Sequence, residues 1–347
     1  MTTDVQPAPA SATNAATRQE HWLIFGNLLA ALSAGALASW SAPVMLAVLY
    51  VDIWLLANPH VVATYTRIAA ISSRMRLSWV LIYVAPVLIL MGLTIVALAY
   101  EAAGLFALYF ALQTFHVSRQ SYGIARRYDR RLRVTYRDLP YLLIYLFPAW
   151  GYLHRSAQAP DSLLGYPIWL PPVPQELALA VGVAAIIGAL CWFACVGYFK
   201  GLEQTNGPFN SLVLSHLIVS LVGYVWMSDI TVGWLMVNVW HNIQYLIFVY
   251  RQQRSSIMAG TNVKGAEDGP RLRKPLIELL KTPATFFLTC SICGAVLYLA
   301  ASHVGESLLW LGLPTILIAH FVLNFHHYVA DSVIWKRRPV GRHGGVA

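Results

Sequence analysis

The chain has 347 residues, 58% of them hydrophobic and only 11% charged, with a mean hydropathy of +0.57 and a formal net charge of +9. A soluble domain carries roughly a quarter charged residues, so this composition excludes an ordinary water-soluble globule and points to lipid as the solvent. The positive balance would suit a nucleic-acid binder, but the basic residues flank apolar segments and read as topology signals, so no nucleic-acid partner is expected.

In lipid, backbone polar groups need internal partners, which leaves helices or a closed barrel. Long unbroken apolar runs select helices over the alternating pattern of a barrel. Residues 1–20, rich in Ala, Thr and Pro, read as a disordered tail. The run Trp22–Trp40 contains Ala36-Leu37-Ala38, which resembles a signal cleavage site. It is long enough to span, and another apolar segment follows at once, so it reads as a retained anchor. Spans are expected over 22–40, 44–60, 78–100, 104–123, 139–154, 176–198, 209–228, 231–250, 284–302 and 307–335. The fold class is therefore all-α, a polytopic transmembrane helical bundle of about ten spans over 21–335, followed by a basic tail at 336–347.

The loops test this count. One set holds Arg67, Arg74 and Arg76; Arg126, Arg127, Arg130, Arg131, Arg133 and Arg137; Lys200; Arg251 to Lys281; and Lys336 to Arg342. The alternate set, 41–43, 101–103, 155–175, 229–230 and 303–306, has Arg155 as its only basic residue. The positive-inside rule then puts both termini in the cytoplasm. Pro270–Lys281 reads either as an interfacial helix or as a plain basic loop. There is no internal repeat and no Gly-rich phosphate loop. Four cysteines make no disulfide framework; Cys191 with Cys195, and Cys290 with Cys293, read as buried structural thiols.

Ionisable residues inside membrane helices are costly and usually face the bundle interior. Here they are sorted by depth. His60 ends span two; His116 and Gln120 lie late in span four; His216 lies early in span seven; His241 and Gln244 lie late in span eight; His320, His326, His327 and Asp331 lie in the cytoplasmic half of span ten. At 1.5 Å per residue most of them stand roughly 10–20 Å inside the basic boundary. One buried histidine is more often a hydrogen-bonded core residue than a ligand, but five helices offering imidazole at one depth point to a metal site. His320, Asn324, His327 and Asp331 follow i, i+4, i+7, i+11, one helical stripe. Imidazole with carboxylate suits non-haem iron, and zinc or manganese less specifically. The expected ligands are His60, His116, His241, His320, His327 and Asp331. Gln120, His216, Gln244, Asn324, His326 and Asp52 are expected as additional ligands or as groups that hold the ligands. Tyr122, Tyr245 and Tyr328 stand beside the histidines.

His116-x3-Gln120, His241-Asn-Ile-Gln244 and His326-His327-Tyr-Val-Ala-Asp331 resemble motifs of integral-membrane histidine-cluster non-haem iron oxygenases. That group includes fatty-acid desaturases, alkane hydroxylases and the carotene-cleaving dioxygenases of the Brp/Blh type. The resemblance covers short motifs only. The desaturase boxes H-x3-H and H-x2-HH are absent, the nearest match being His320-x5-His326-His327. The carotene-cleaving group, with histidines inside the membrane, is the closer analogy. It implies iron, mono- or dinuclear, dioxygen, a hydrophobic small-molecule substrate reaching the site laterally from the lipid bilayer, and an electron-donor protein on the cytoplasmic side of a bacterial inner membrane. The residues leave open a metal-ion or proton-coupled membrane transporter, and a bis-histidine haem protein.

Overall fold

The structure is a computed structural model and describes residues 10–71, 79–129, 138–200, 207–260 and 282–334. Residues 1–9 of the expected tail, the segment Pro270–Lys281 and the basic tail at 336–347 lie outside the described residues. The rest is almost entirely helix: α1 (Ala10–Ala38), α2 (Ala42–Asp52), α3 (Asn58–Ile71), α4 (Ala85–Asp129), α5 (Leu139–Gln158), α6 (Gln175–Lys200), α7 (Gly207–Ser220), α8 (Ile230–Gly260), α9 (Pro283–Ser307) and α10 (Thr315–Ile334). A two-stranded hairpin, β1 (Ser162–Leu163) with β2 (Tyr166–Pro167), interrupts the loop after α5. Six stretches among the described residues are long and apolar enough to cross a membrane: Arg18–Ala38, Ala42–Arg67, Val80–Tyr128, Gln175–Val196, Gly207–Trp226 and Pro283–Ser307. The third of these is two arms, because Glu101 (φ 54°, ψ −148°) breaks the helix where the 101–103 turn was expected. Helices α5, α8 and α10 coincide with expected spans but are not among the six.

Burial is inverted relative to a soluble protein. Large apolar side chains such as Leu98, Leu190, Leu288 and Val296 are exposed, while Asp52, Gln113, His116, Asn242 and His327 are buried. That is the distribution expected where lipid covers the outer face and polar groups satisfy one another inside. Of the cysteines only Cys290 is buried; Cys191, Cys195 and Cys293 lie on the exposed apolar flank, so the structure corrects the reading of both pairs as buried thiols.

The second span runs well past residue 60, its expected end. A π-helical turn, Ile53–Ala57, joins α2 to α3, and the Asn58 N–H bonds to the Ile53 carbonyl. The widened turn lies immediately before Pro59, whose ring would clash with a carbonyl four residues back in a regular helix. The same device, Val80–Val84, precedes Pro86. The helix therefore continues to Ile71, and His60 sits inside it rather than at its end. Arg67, expected as a loop residue marking the basic boundary, is likewise helical and buried.

Gly294 lets α9 lie against this segment, since a Cβ there would come within 2.9 Å of the Asn58 backbone. A Gly294→Val protein is expected to lose about 1–3 kcal/mol by overpacking and to shift the helix bearing His60. A lowered thermal midpoint in detergent, with reduced metal retention, is the expected readout.

Contacts sort the helix ends into two sets. At one end Tyr166 stacks on Phe106 (4.8 Å), Trp169 on Tyr100 (6.1 Å), and the Leu164 N–H bonds to Thr231 Oγ1 (2.9 Å). At the other, Glu20 pairs with Arg251 (3.0 Å) and accepts from Tyr128 (2.8 Å), while Gln253 donates to Thr66 (2.8 Å). Arg155, the one basic residue of the sparsely charged set, is buried and donates to the Gly223, Met227 and Ser228 carbonyls after α7. It caps a helix end, so it does not weaken the charge asymmetry.

Candidate metal centre

Four helices bring imidazoles to one buried point. Helix α3 supplies His60, the second arm of α4 His116, α8 His241 and α10 His327; each is at most 5% exposed. Two overlapping groups have all their ligand atoms within 4.8 Å of one another: His60 with His116 and His241, and His116 with His327 and Asp331. His327 Nε2 is the hub, 2.8 Å from His60 Nε2 and 3.1 Å from His116 Nε2.

Counting protons tests whether this arrangement suits a metal. A neutral imidazole has one N–H and one lone pair. If His327 carries its proton on Nε2, that proton serves one of these two contacts, and the other nitrogen offers either a second proton that clashes with it or a lone pair with no proton aimed at it. A cation placed among the three nitrogens removes the conflict. The proton then belongs on Nδ1, where Thr64 Oγ1 waits at 2.7 Å. The Thr64 hydroxyl in turn donates to Asp331 Oδ1 (3.2 Å), which also accepts from Tyr245 OH (2.6 Å). Within this chain of groups each donor finds an acceptor, and the link from His327 through Thr64 to a carboxylate is of the kind that orients metal-bound histidine. Tyr245 stacks on His60 at 4.2 Å and Tyr328 on His116 at 4.1 Å, fixing both rings. Thr64→Val removes the link while keeping the shape; metal affinity should fall about 10–100-fold, measured by competition with a chelator.

The remaining expected residues divide. His320 belongs to neither group: its Nε2 bonds Ser302 Oγ (2.8 Å), and the ring lies 5.3 Å from Tyr298. Asn324 accepts from Tyr298 OH (2.5 Å). The stripe on α10 therefore splits, its first half packing on α9 and its second half facing the cluster. The physical reason is length: residues 320 and 331 are about 16 Å apart along the axis, too far to share one ion. His326 spends both ring nitrogens on the Leu81 carbonyl (2.6 Å) and Tyr65 OH (3.1 Å), so it fastens helices together. His216 Nε2 bonds the Ile144 carbonyl (2.9 Å) and joins α7 to α5. Gln120, one turn beyond His116, is buried with neither amide atom hydrogen-bonded, and Gln244 Oε1 is likewise unpartnered.

Asp52 accepts from Asn238 (2.5 Å) and Asn242 (3.0 Å). Behind Asn238 stand Gln113, donating at 2.8 Å, and Trp234, donating to Gln113. Every hydrogen in this row points toward the carboxyl group, so both Asp52 oxygens are satisfied by amide donors from α8.

Sequence reasoning missed Thr64. The available signal was its place one turn after His60 on the same face. Sequence reasoning also could not see the cavity of about 390 Å³ between the two arms of α4 and α10. Leu93, Leu108, Leu112, Phe115 and Phe325 form its apolar wall, and His116, Arg119, Gln120 and Asp331 its polar end. Phe115 is more than half exposed on the outer flank, so this space adjoins the lipid-facing surface. Comparison with family models, characterised proteins and solved structures finds no match to the chain.

Proposed function

We propose that the chain is a multi-pass protein of about ten spans, both termini cytoplasmic, in a bacterial inner membrane. We read it as a metal-dependent oxidoreductase of the non-haem iron oxygenase, desaturase or hydroxylase type, acting with dioxygen on a lipophilic substrate. The observation that carries this reading is the meeting of four imidazoles from four helices at a buried point bordered by an apolar cavity.

His60, His116, His241 and His327 would hold the metal. Iron, when bound, supplies activation of dioxygen. The chain's own residues do the rest. Asp331 orients His327 through Thr64 and is itself fixed by Tyr245. Tyr328 braces His116 and lines the cavity. The apolar wall holds a hydrocarbon segment beside His116 and excludes water. The basic face is where an electron-donor protein of opposite charge would dock.

The test is elemental analysis of detergent-purified protein together with oxygen uptake on a panel of lipids. Stoichiometric iron with lipid-dependent oxygen consumption is the expected result. Metal-free protein would end the reading. Accumulation of metal inside proteoliposomes without oxygen uptake would replace it with transport.

A further inference from the structure

A second cavity, of about 350 Å³, lies between α1, α4, α7 and α8. It differs in kind from the lipid-side space. Glu20, Arg127, Tyr128 and Arg251 stand at its rim, and Asn27 and Gln244 at its inner wall. The levels match on two helices. Glu20 and Arg251 are ion-paired at 3.0 Å. Seven residues further in on each helix come Asn27 and Gln244, about 10 Å deeper. One more turn of α8 reaches His241, and the Asn27 amide donates to the carbonyl of its neighbour Trp240 (2.8 Å). Along this line three buried polar atoms have no hydrogen-bond partner: Asn27 Oδ1, Gln244 Oε1 and His241 Nδ1.

Buried polar atoms in native proteins are almost always paired, with ordered water where protein supplies no partner. Three orphans in sequence, leading from a polar cavity to a ligand candidate, mark places for water. The cavity has room for roughly ten water molecules at about 30 Å³ each. We propose that this cavity is a hydrated route from the basic face of the protein to His241, occupied by ordered water and serving the buried centre with water and protons. The proposal rests on the metal-centre reading for its purpose, but not for its existence. It gives the centre two separate approaches, an apolar one from the bilayer flank at His116 and an aqueous one from the basic face at His241. Glu20, accepting from both Tyr128 and Arg251, sits where bulk water meets the file.

Cysteine accessibility tests it. The full chain in lipid nanodiscs, carrying Gln244→Cys or Asn27→Cys, is treated with a small, positively charged methanethiosulfonate. Thiol modification needs access for the reagent and a hydrated thiolate. Both new cysteines should react at least about tenfold faster than the native cysteines of the parent protein, whose rates are read in parallel. Gln113→Cys, placed in the Asp52 row, should react no faster than buried Cys290. Either wall position suffices if the other variant fails to fold. Rates at 244 and 27 equal to that of Cys290, or an equally fast Cys at 113, overturn the route. Cobalt(II) binding is measured on the parent protein alongside. Failure to bind cobalt counts against the metal centre and leaves the accessibility result standing; cobalt bound with both cysteines unreachable counts against the route alone.

Discussion

His327→Ala abolishes metal binding, whereas His320→Ala, on the same helix, leaves it unchanged. This is the largest effect the geometry predicts, and it separates the structure from the sequence pattern, in which the two residues share a stripe. His327 Nε2 lies within 3.1 Å of two other imidazole nitrogens, and its Nδ1 anchors the link to Asp331. Its loss removes a ligand and disconnects the carboxylate at once. The affinity should therefore fall by more than the roughly 10–100-fold expected when only an outer hydrogen-bond partner is lost. His320 is bonded to Ser302 and touches no member of the cluster's two groups. Chelator competition followed by elemental analysis reads both. Retained helicity of His327→Ala by circular dichroism separates loss of ligand from loss of fold. Equal metal loss in both variants would contradict the placement of α10.

Gly92→Phe should stop lipid turnover while leaving the metal in place. Gly92 lines the lateral cavity, and a Cβ built on it meets nothing within 4 Å, so the space beyond it is open. It lies in the first arm of α4, where alanine gains roughly 0.5–1 kcal/mol of helix propensity over glycine and phenylalanine a few tenths, so neither substitution weakens the helix. A phenylalanine ring there projects into the 390 Å³ that would hold the hydrocarbon. Gly92→Ala, which adds only a methyl group, should stay active. The expected outcome is at least about a tenfold loss in kcat/KM for Phe, with unchanged iron content. Full activity in the Phe variant would mean that the substrate approaches elsewhere.

Helices were readable because lipid demands long apolar runs, and most of each expected span is helical; the tenth, expected from 307, begins only at Thr315, because residues 308–314 form a short 3-10 turn and a bend closed by Gly312 in the left-handed conformation and Pro314. Their ends were not readable. Span two was expected to end at residue 60, just after Pro59, yet the π-helical turn at Ile53–Ala57 lets the helix pass the proline. Nothing in the composition of Ile-Trp-Leu-Leu-Ala announces that turn. Five of the six expected ligands, all but His320, could be grouped from depth alone, because distance from the basic loops is a coordinate the sequence carries. Angular direction over eleven residues is not, which is why His320 and Asn324 were grouped with residues they do not meet. Thr64 was hidden for another reason. Threonines in membrane helices commonly bond their own backbone, as Thr94 and Thr114 do to Leu90 and Phe110, and only tertiary packing reveals one that turns to a histidine instead. Tyr245, expected only to stand beside the histidines, is a fully buried donor to Asp331.

X-ray absorption at the edge of the metal that copurifies with the detergent-solubilised chain tests the central claim most directly. Imidazole rings give outer-shell scattering that counts them. The account predicts at least three imidazoles on the metal, with metal–nitrogen distances of about 2.0–2.2 Å, and loss of one ring's contribution in His241→Ala. A spectrum of oxygen ligands alone, or of cysteine sulfur, would contradict it.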